Sequence, residues 1–132
     1  MSKRLLQIIN VLLALMTIGL AGNSLFTGVN NGLYAPAEIP ANPALDSNLR
    51  FMGGMGIGLG LALLYITPAI EKHTQLFRTV WLVALLGGIG RLVSWFVVAA
   101  PPTPVLAFTL IEVVGVPILL FWQNRLAQAA EN

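Results

Sequence analysis

Four apolar stretches, each closed off by polar or prolyl residues, take up most of the chain at about 5–25, 49–70, 77–99 and 105–122. Each holds roughly 18 to 22 residues, enough for a helix to cross a hydrocarbon core about 30 Å thick. The pattern predicts an all-α integral membrane four-helix bundle, a single transmembrane domain over 1–132 with no room for a separate soluble one. The first stretch follows Lys3 and Arg4. It is longer than the apolar part of a signal peptide, about 7 to 15 residues, so a retained helix is expected. Residues 26–48 hold Gly28, Gly32, Pro36, Pro40 and Pro43. That composition predicts an irregular connection between the first two helices, lying over one end of the bundle.

Small and polar residues inside the stretches indicate which faces meet protein. Gln7, Asn10, Ala14, Thr17 and Ala21 recur at intervals of three and four, which lines them along one stripe of the first helix. In the second helix, Gly54 with Gly58 and Gly56 with Gly60 form two small-xxx-small pairs on nearly opposite faces, so a neighbour is expected on each. Self-association through one pair is the alternative use. Gly87 and Gly88 prepare a similar close approach in the third helix. Pro117 in the fourth removes a backbone donor and leaves the carbonyl of Val113 without its usual partner, predicting a kink; Pro68 does the same near the end of the second.

Composition agrees with a membrane setting. Apolar residues make up 57% and charged residues 9%, against about 25% charged in soluble domains, and the mean hydropathy is +0.83. The net charge of +2 is too small and scattered for a nucleic-acid surface. Its distribution is more informative. Lys3, Arg4, Lys72, Arg78 and Arg125 fall on one side of a four-crossing topology, which predicts cytoplasmic termini and puts the 26–48 connection and the Pro101–Pro104 turn outside. Trp81 and Trp122 are then expected at the cytoplasmic interface. The chain has no cysteine, which excludes disulfides and thiolate metal sites, and the single His73 cannot ligate a bis-histidine haem. Neither a cofactor nor a metal is expected.

The remaining charges lie within the spans. Arg91 is about nine residues from the outer end of the third helix and Glu112 about eight into the fourth, so both sit roughly 12 to 13 Å below the same surface and should meet. An Arg at the centre of a span costs at least about 2.5 to 3.5 kcal/mol to insert, which makes pairing or hydration nearly obligatory. Asp46, Ser47 and Asn48 are candidates to cap the second helix. Arg50 stands one turn in on the same side. Together these predict an outer polar cavity lined by Asp46, Arg50, Arg91, Ser94, Thr109 and Glu112, with the prolyl connection as cover. Three uses stay open: a closed pair fixing helix registry, a ligand site, and ion translocation.

The run Asp46, Ser47, Asn48, Leu49, Arg50, Phe51, Met52, Gly53, Gly54, with Gly87, Gly88, Ile89, Gly90, Arg91, Leu92, Val93, Ser94 and then Glu112 with Pro117, resembles a family of small bacterial four-helix membrane proteins classed as a domain of unknown function. The resemblance covers nearly the whole chain. It implies a multi-pass protein of the bacterial inner membrane, with Asp46, Arg50, Arg91 and Glu112 as the family's charged positions. In size and helix count the chain is similar to DoxX-like proteins, some of which accompany quinone-linked oxidoreductases. The absence of cysteine argues against a thiol-oxidising version. Catalytic residues are not indicated. The leading expectation is a binding or accessory protein that holds a lipid, quinone or other lipophilic molecule near Arg50 and Arg91. The alternatives are a structural subunit of a larger membrane complex and a small oligomeric transporter. Expected partners are the lipid bilayer, a lipophilic small molecule, and further copies or a larger complex.

Overall fold

The computed structural model describes residues 2–32 and 42–131. Among them there is no strand, and four helical segments are long and apolar enough to cross a membrane: Lys3–Asn30, Pro43–Ala69, Thr74–Val97 and Thr103–Ala130. In detail, α1 spans Lys3–Thr27, α2 Pro43–Ile66 and α3 Thr74–Val97, while the last segment joins α4 (Thr103–Leu110) to α5 (Val116–Glu131) through a π-helical turn at Ile111–Gly115. The residues fall into two compact units, Ile9–Tyr65 and Met1–Ile8 with Ile66–Asn132.

In the first unit α1 and α2 form an antiparallel pair whose spacing is set by glycine. Asn10, 1% exposed, donates from Nδ2 to Leu63 O at 3.0 Å. Ala14 and Ile18 face Gly60, and Ala21 and Leu25 face Gly53 and Gly56. Asn10, Ala14 and Ala21 are members of the predicted stripe of α1, whereas the Thr17 hydroxyl donates to Leu13 O at 2.8 Å in its own helix. The glycine face of α2 differs from the expected pair of faces. A Cβ on Gly53 would lie 2.6 Å from Ala21 O and Leu25 N, and one on Gly56 2.7 Å from Ala21 Cβ. Gly54 and Gly58 would meet nothing within 4 Å. Among the described residues one of the two small-xxx-small faces meets α1, and it extends to Gly53, at intervals of three and four along Gly53, Gly56 and Gly60.

The helix boundaries differ where local capping overrides hydropathy. The second helix begins at Pro43 rather than near residue 49, because Asn42 Oδ1 accepts the Leu45 N–H at 3.0 Å and Pro43 occupies the first helical position, where its missing N–H is no loss. Asp46, Ser47 and Asn48 thus lie inside the helix, and the expected 26–48 connection is helical at both ends. Its far end stops at Ile66, followed by a 3₁₀ turn at Thr67–Ala69 that contains Pro68. The fourth segment continues past residue 122 to Glu131, since Gln, Arg, Leu and Ala extend a helix after its apolar run has ended.

The second unit packs α3 against α4 and α5. Phe77, Val80, Trp81, Val116 and Leu119 are buried, with the Phe77 and Trp81 rings 6.1 Å apart. Trp81 is 5% exposed, and among the described residues its buried Nε1 has no acceptor. Gln123, fully buried, donates to Ile70 O at 3.0 Å and to Thr74 Oγ1 at 2.8 Å, fastening α5 to the start of α3. The first turns of α1 belong to this unit too: Gln7 donates to Thr67 O and Pro68 O, and Lys3 Nζ pairs with Glu71 Oε1 at 2.8 Å.

The Lys3 hydrogen bond holds the Glu71 carboxyl below its ordinary value of 4.5. A lowered carboxylate pKa contributes stability that is present above that value and is lost as the pH falls through the depressed one. Melting temperatures recorded from pH 7 down to about pH 3 should therefore decline on the acid side. In Lys3→Met that decline should be shallower, and an unchanged slope would remove the pair from the account.

Candidate functional site

Glu112 is placed by a widened helical turn. Pro117 has no N–H to offer the Val113 carbonyl, and ahead of it the helix opens into the π turn, where the Val116 N–H reaches Ile111 O. Glu112 lies in this turn and fills the space that Gly88 leaves on α3. A Cβ on Gly88 would stand 2.7 Å from Glu112 Cβ and 3.0 Å from Val113 Cγ2, whereas one on Gly87 meets nothing within 4 Å among the described residues. One turn along α3 stands Arg91, its Nε 3.0 Å from Glu112 Oε2. Register and the missing Gly88 side chain together bring these two charges into contact.

The pair is only half satisfied. Glu112 Oε2 is buried and accepts no hydrogen bond, so its contact with Arg91 is Coulombic rather than well directed. Among the described residues nothing bonds the Nη1 and Nη2 groups of Arg91, whose side chain is 41% exposed, against 23% for Glu112. Ser94, one turn further along α3, is exposed. Thr109 is 3% exposed, and its hydroxyl donates to Val105 O at 2.9 Å within its own helix. It is occupied by the backbone and offers nothing outward. What the arrangement presents is a guanidinium beside a carboxylate, within the halves of the two apolar segments that meet at the Val97–Thr103 turn.

Asp46 and Arg50 do something else. Arg50 Nη1 donates to Leu25 O at 3.0 Å and to Phe26 O at 2.9 Å, carbonyls in the last turn of α1 that have no helical partner. Its Nε donates to Asp46 Oδ2 at 2.6 Å, and Asp46 Oδ1 accepts the Val29 N–H at 3.1 Å. Gly28, with φ +56°, makes the left-handed turn that ends α1, and the Asp46 carboxylate occupies the space a side chain there would need. Asp46 thus caps the turn after α1 and not the start of α2. Replacing Arg50 by Met should lower stability and speed amide exchange in the last turn of α1, as read by hydrogen–deuterium exchange. Exchange unchanged there would contradict the capping role.

The chain can now be placed among known proteins. A family model described as Domain of unknown function (DUF4345) matches residues 5–123. The chain belongs to the DUF4345 family. Comparison with curated proteins and with solved structures gives no match. In this DUF4345 chain four of the six expected cavity residues form the Asp46–Arg50 and Arg91–Glu112 pairs, one in each unit, while Thr109 is turned to its own backbone and Ser94 is exposed. Pro36 and Pro40 of the expected cover lie outside the described residues. Sequence reasoning missed a polar knot at the end of α1: Asn23 Nδ2 donates to Asn31 Oδ1 at 2.7 Å, and Asn31, 2% exposed, donates to Ser24 Oγ at 3.0 Å. Asn, Ser and Thr clustered where an apolar run ends was the signal. An open depression of about 590 Å³ beside Glu71, Lys72, His73 and Thr74 involves none of the six.

Proposed function

We propose that this protein is a multi-pass membrane protein that binds a lipophilic molecule through a headgroup seated on Arg91. One observation supports the reading: the Arg91 guanidinium meets Glu112 through Nε, and among the described residues nothing bonds its Nη donors. Unbonded donors within a span are unfavourable in hydrocarbon, and an anionic or carbonyl headgroup would satisfy them with short, forked hydrogen bonds. Glu112 then supplies a counter-charge beside the guanidinium, Gly88 gives Glu112 its place, and the exposed Ser94 adds a neutral donor. Trp95, one turn along α3 on the same side as Arg91 and 41% exposed, offers apolar surface for the tail of such a molecule. A quinone, a fatty acyl species or a phospholipid fits this chemistry. The bacterial inner membrane, with the termini inside, is the location that the charge distribution favours.

Extraction of the protein purified from its native membrane tests the reading. A lipophilic compound should be recovered at about one per binding unit from the native chain and lost from Arg91→Glu, with helicity unchanged. Recovery equal in both would remove Arg91 from the site. The close Gly88–Glu112 contact favours a second reading, in which the pair fixes helix registry inside a larger complex. Under that reading, joint replacement of Arg91 and Glu112 by apolar residues would be tolerated throughout.

A further inference from the structure

Arg78 and Arg125 stand at the other end of the α3 and α5 pair from Arg91, on one level. The antiparallel register puts them there: Arg91 faces Glu112, and Arg78 Nη2 reaches Asn124 Oδ1 at 2.7 Å, one residue before Arg125. On α5, Phe121, Asn124 and Arg125 share a stripe at intervals of three and four residues. The Arg125 guanidinium lies over the Phe121 ring, 5.1 Å from its centroid. Both tethers are electrically neutral. They fix two guanidinium groups on neighbouring helices without cancelling either charge. The ion pairs among the described residues engage Lys3, Arg50 and Arg91 instead. Both arginines are exposed, and Trp122 beside them is half-buried.

Two unneutralised guanidinium groups tied to positions one turn apart on α5, Asn124 and Phe121, favour an anion shared between them. Forked guanidinium donors match phosphate oxygens, and basic residues between helices at the end of a span are placed at headgroup depth. We propose that Arg78, Asn124 and Arg125 form a binding site for the phosphodiester headgroup of an anionic phospholipid, with Phe121 and Trp122 against its glycerol and upper acyl region. A lipid is favoured over free phosphate because the stripe joins the two guanidinium groups directly to aromatic and apolar surface. This site is independent of the Arg91 reading.

The test uses the full chain in mild detergent, with phosphatidylglycerol, phosphatidylcholine or inorganic phosphate added and retention read by native mass spectrometry. Two surface arginines predict a preference of roughly thirtyfold for phosphatidylglycerol over phosphatidylcholine. The joint variant Arg78→Gln with Arg125→Gln should lose it, and Arg78→Lys with Arg125→Lys should keep part of it. Equal retention of the two lipids by the native chain would overturn the proposal without any variant. So would an undiminished preference in the glutamine variant. Displacement of phosphatidylglycerol by millimolar inorganic phosphate would assign the site to the free anion and overturn the lipid.

Discussion

Gly53→Ala should destabilise the protein by about 3 kcal/mol, the upper end of the overpacking range, and the melting temperature in detergent should fall accordingly. The added methyl would stand 2.6 Å from both Ala21 O and Leu25 N. Those are backbone atoms of α1. No rotamer change can move them, so the only relief is to part α1 from α2, which would also stretch the Asn10 to Leu63 bond further along the pair. At Gly54 and Gly58 the same substitution meets open space, and Ala should stabilise each helix position by about 0.5 to 1 kcal/mol through lower backbone entropy. The sign of the effect therefore reverses between adjacent residues. Equal losses at Gly53 and Gly54 would mean that α2 presents a different face to α1.

The second large effect is expected at Arg91. Removing the guanidinium in Arg91→Leu leaves Glu112 Oε2 buried with neither a hydrogen bond nor a counter-charge, and breaking such a pair from one side costs about 3 kcal/mol or more. Replacing both, Arg91→Leu with Glu112→Met, substitutes apolar groups of similar volume and should restore most of the loss. A double-mutant cycle on unfolding in mixed micelles reads the coupling directly. Additive single effects would show that the two charges are satisfied separately, by water or by headgroups.

Much of this was legible from spacing alone. The level of Arg91 with Glu112 follows from counting residues to a short turn, since helical rise is constant. The stripe of Gln7, Asn10, Ala14 and Ala21 follows from the helical period. The choice between the Gly54 and Gly53 faces did not, because two offset glycine pairs define two faces and only the neighbouring helix selects one. Nor did the start of α2: Asn42 and Pro43 sit in a segment read as loop for its prolines, although Pro at the first helical position is a start signal. The role of Arg50 was hidden for a related reason. Its partners are backbone carbonyls of α1, and no side-chain pattern announces those. Pro117 did announce a disturbance, but its form, a π turn that contains Glu112, depends on how α3 receives that side chain at Gly88.

The central claim is that the Arg91–Glu112 pair is a binding site and not merely a helix fastener. Native mass spectra of the wild-type chain beside the Arg91→Leu, Glu112→Met double variant separate the two, because that variant keeps the packing while removing the charges. A lipophilic adduct on the wild type, absent from an equally folded double variant, is the predicted result. A wild type that is bare after purification from its own membrane, or an adduct retained equally by both, would contradict it.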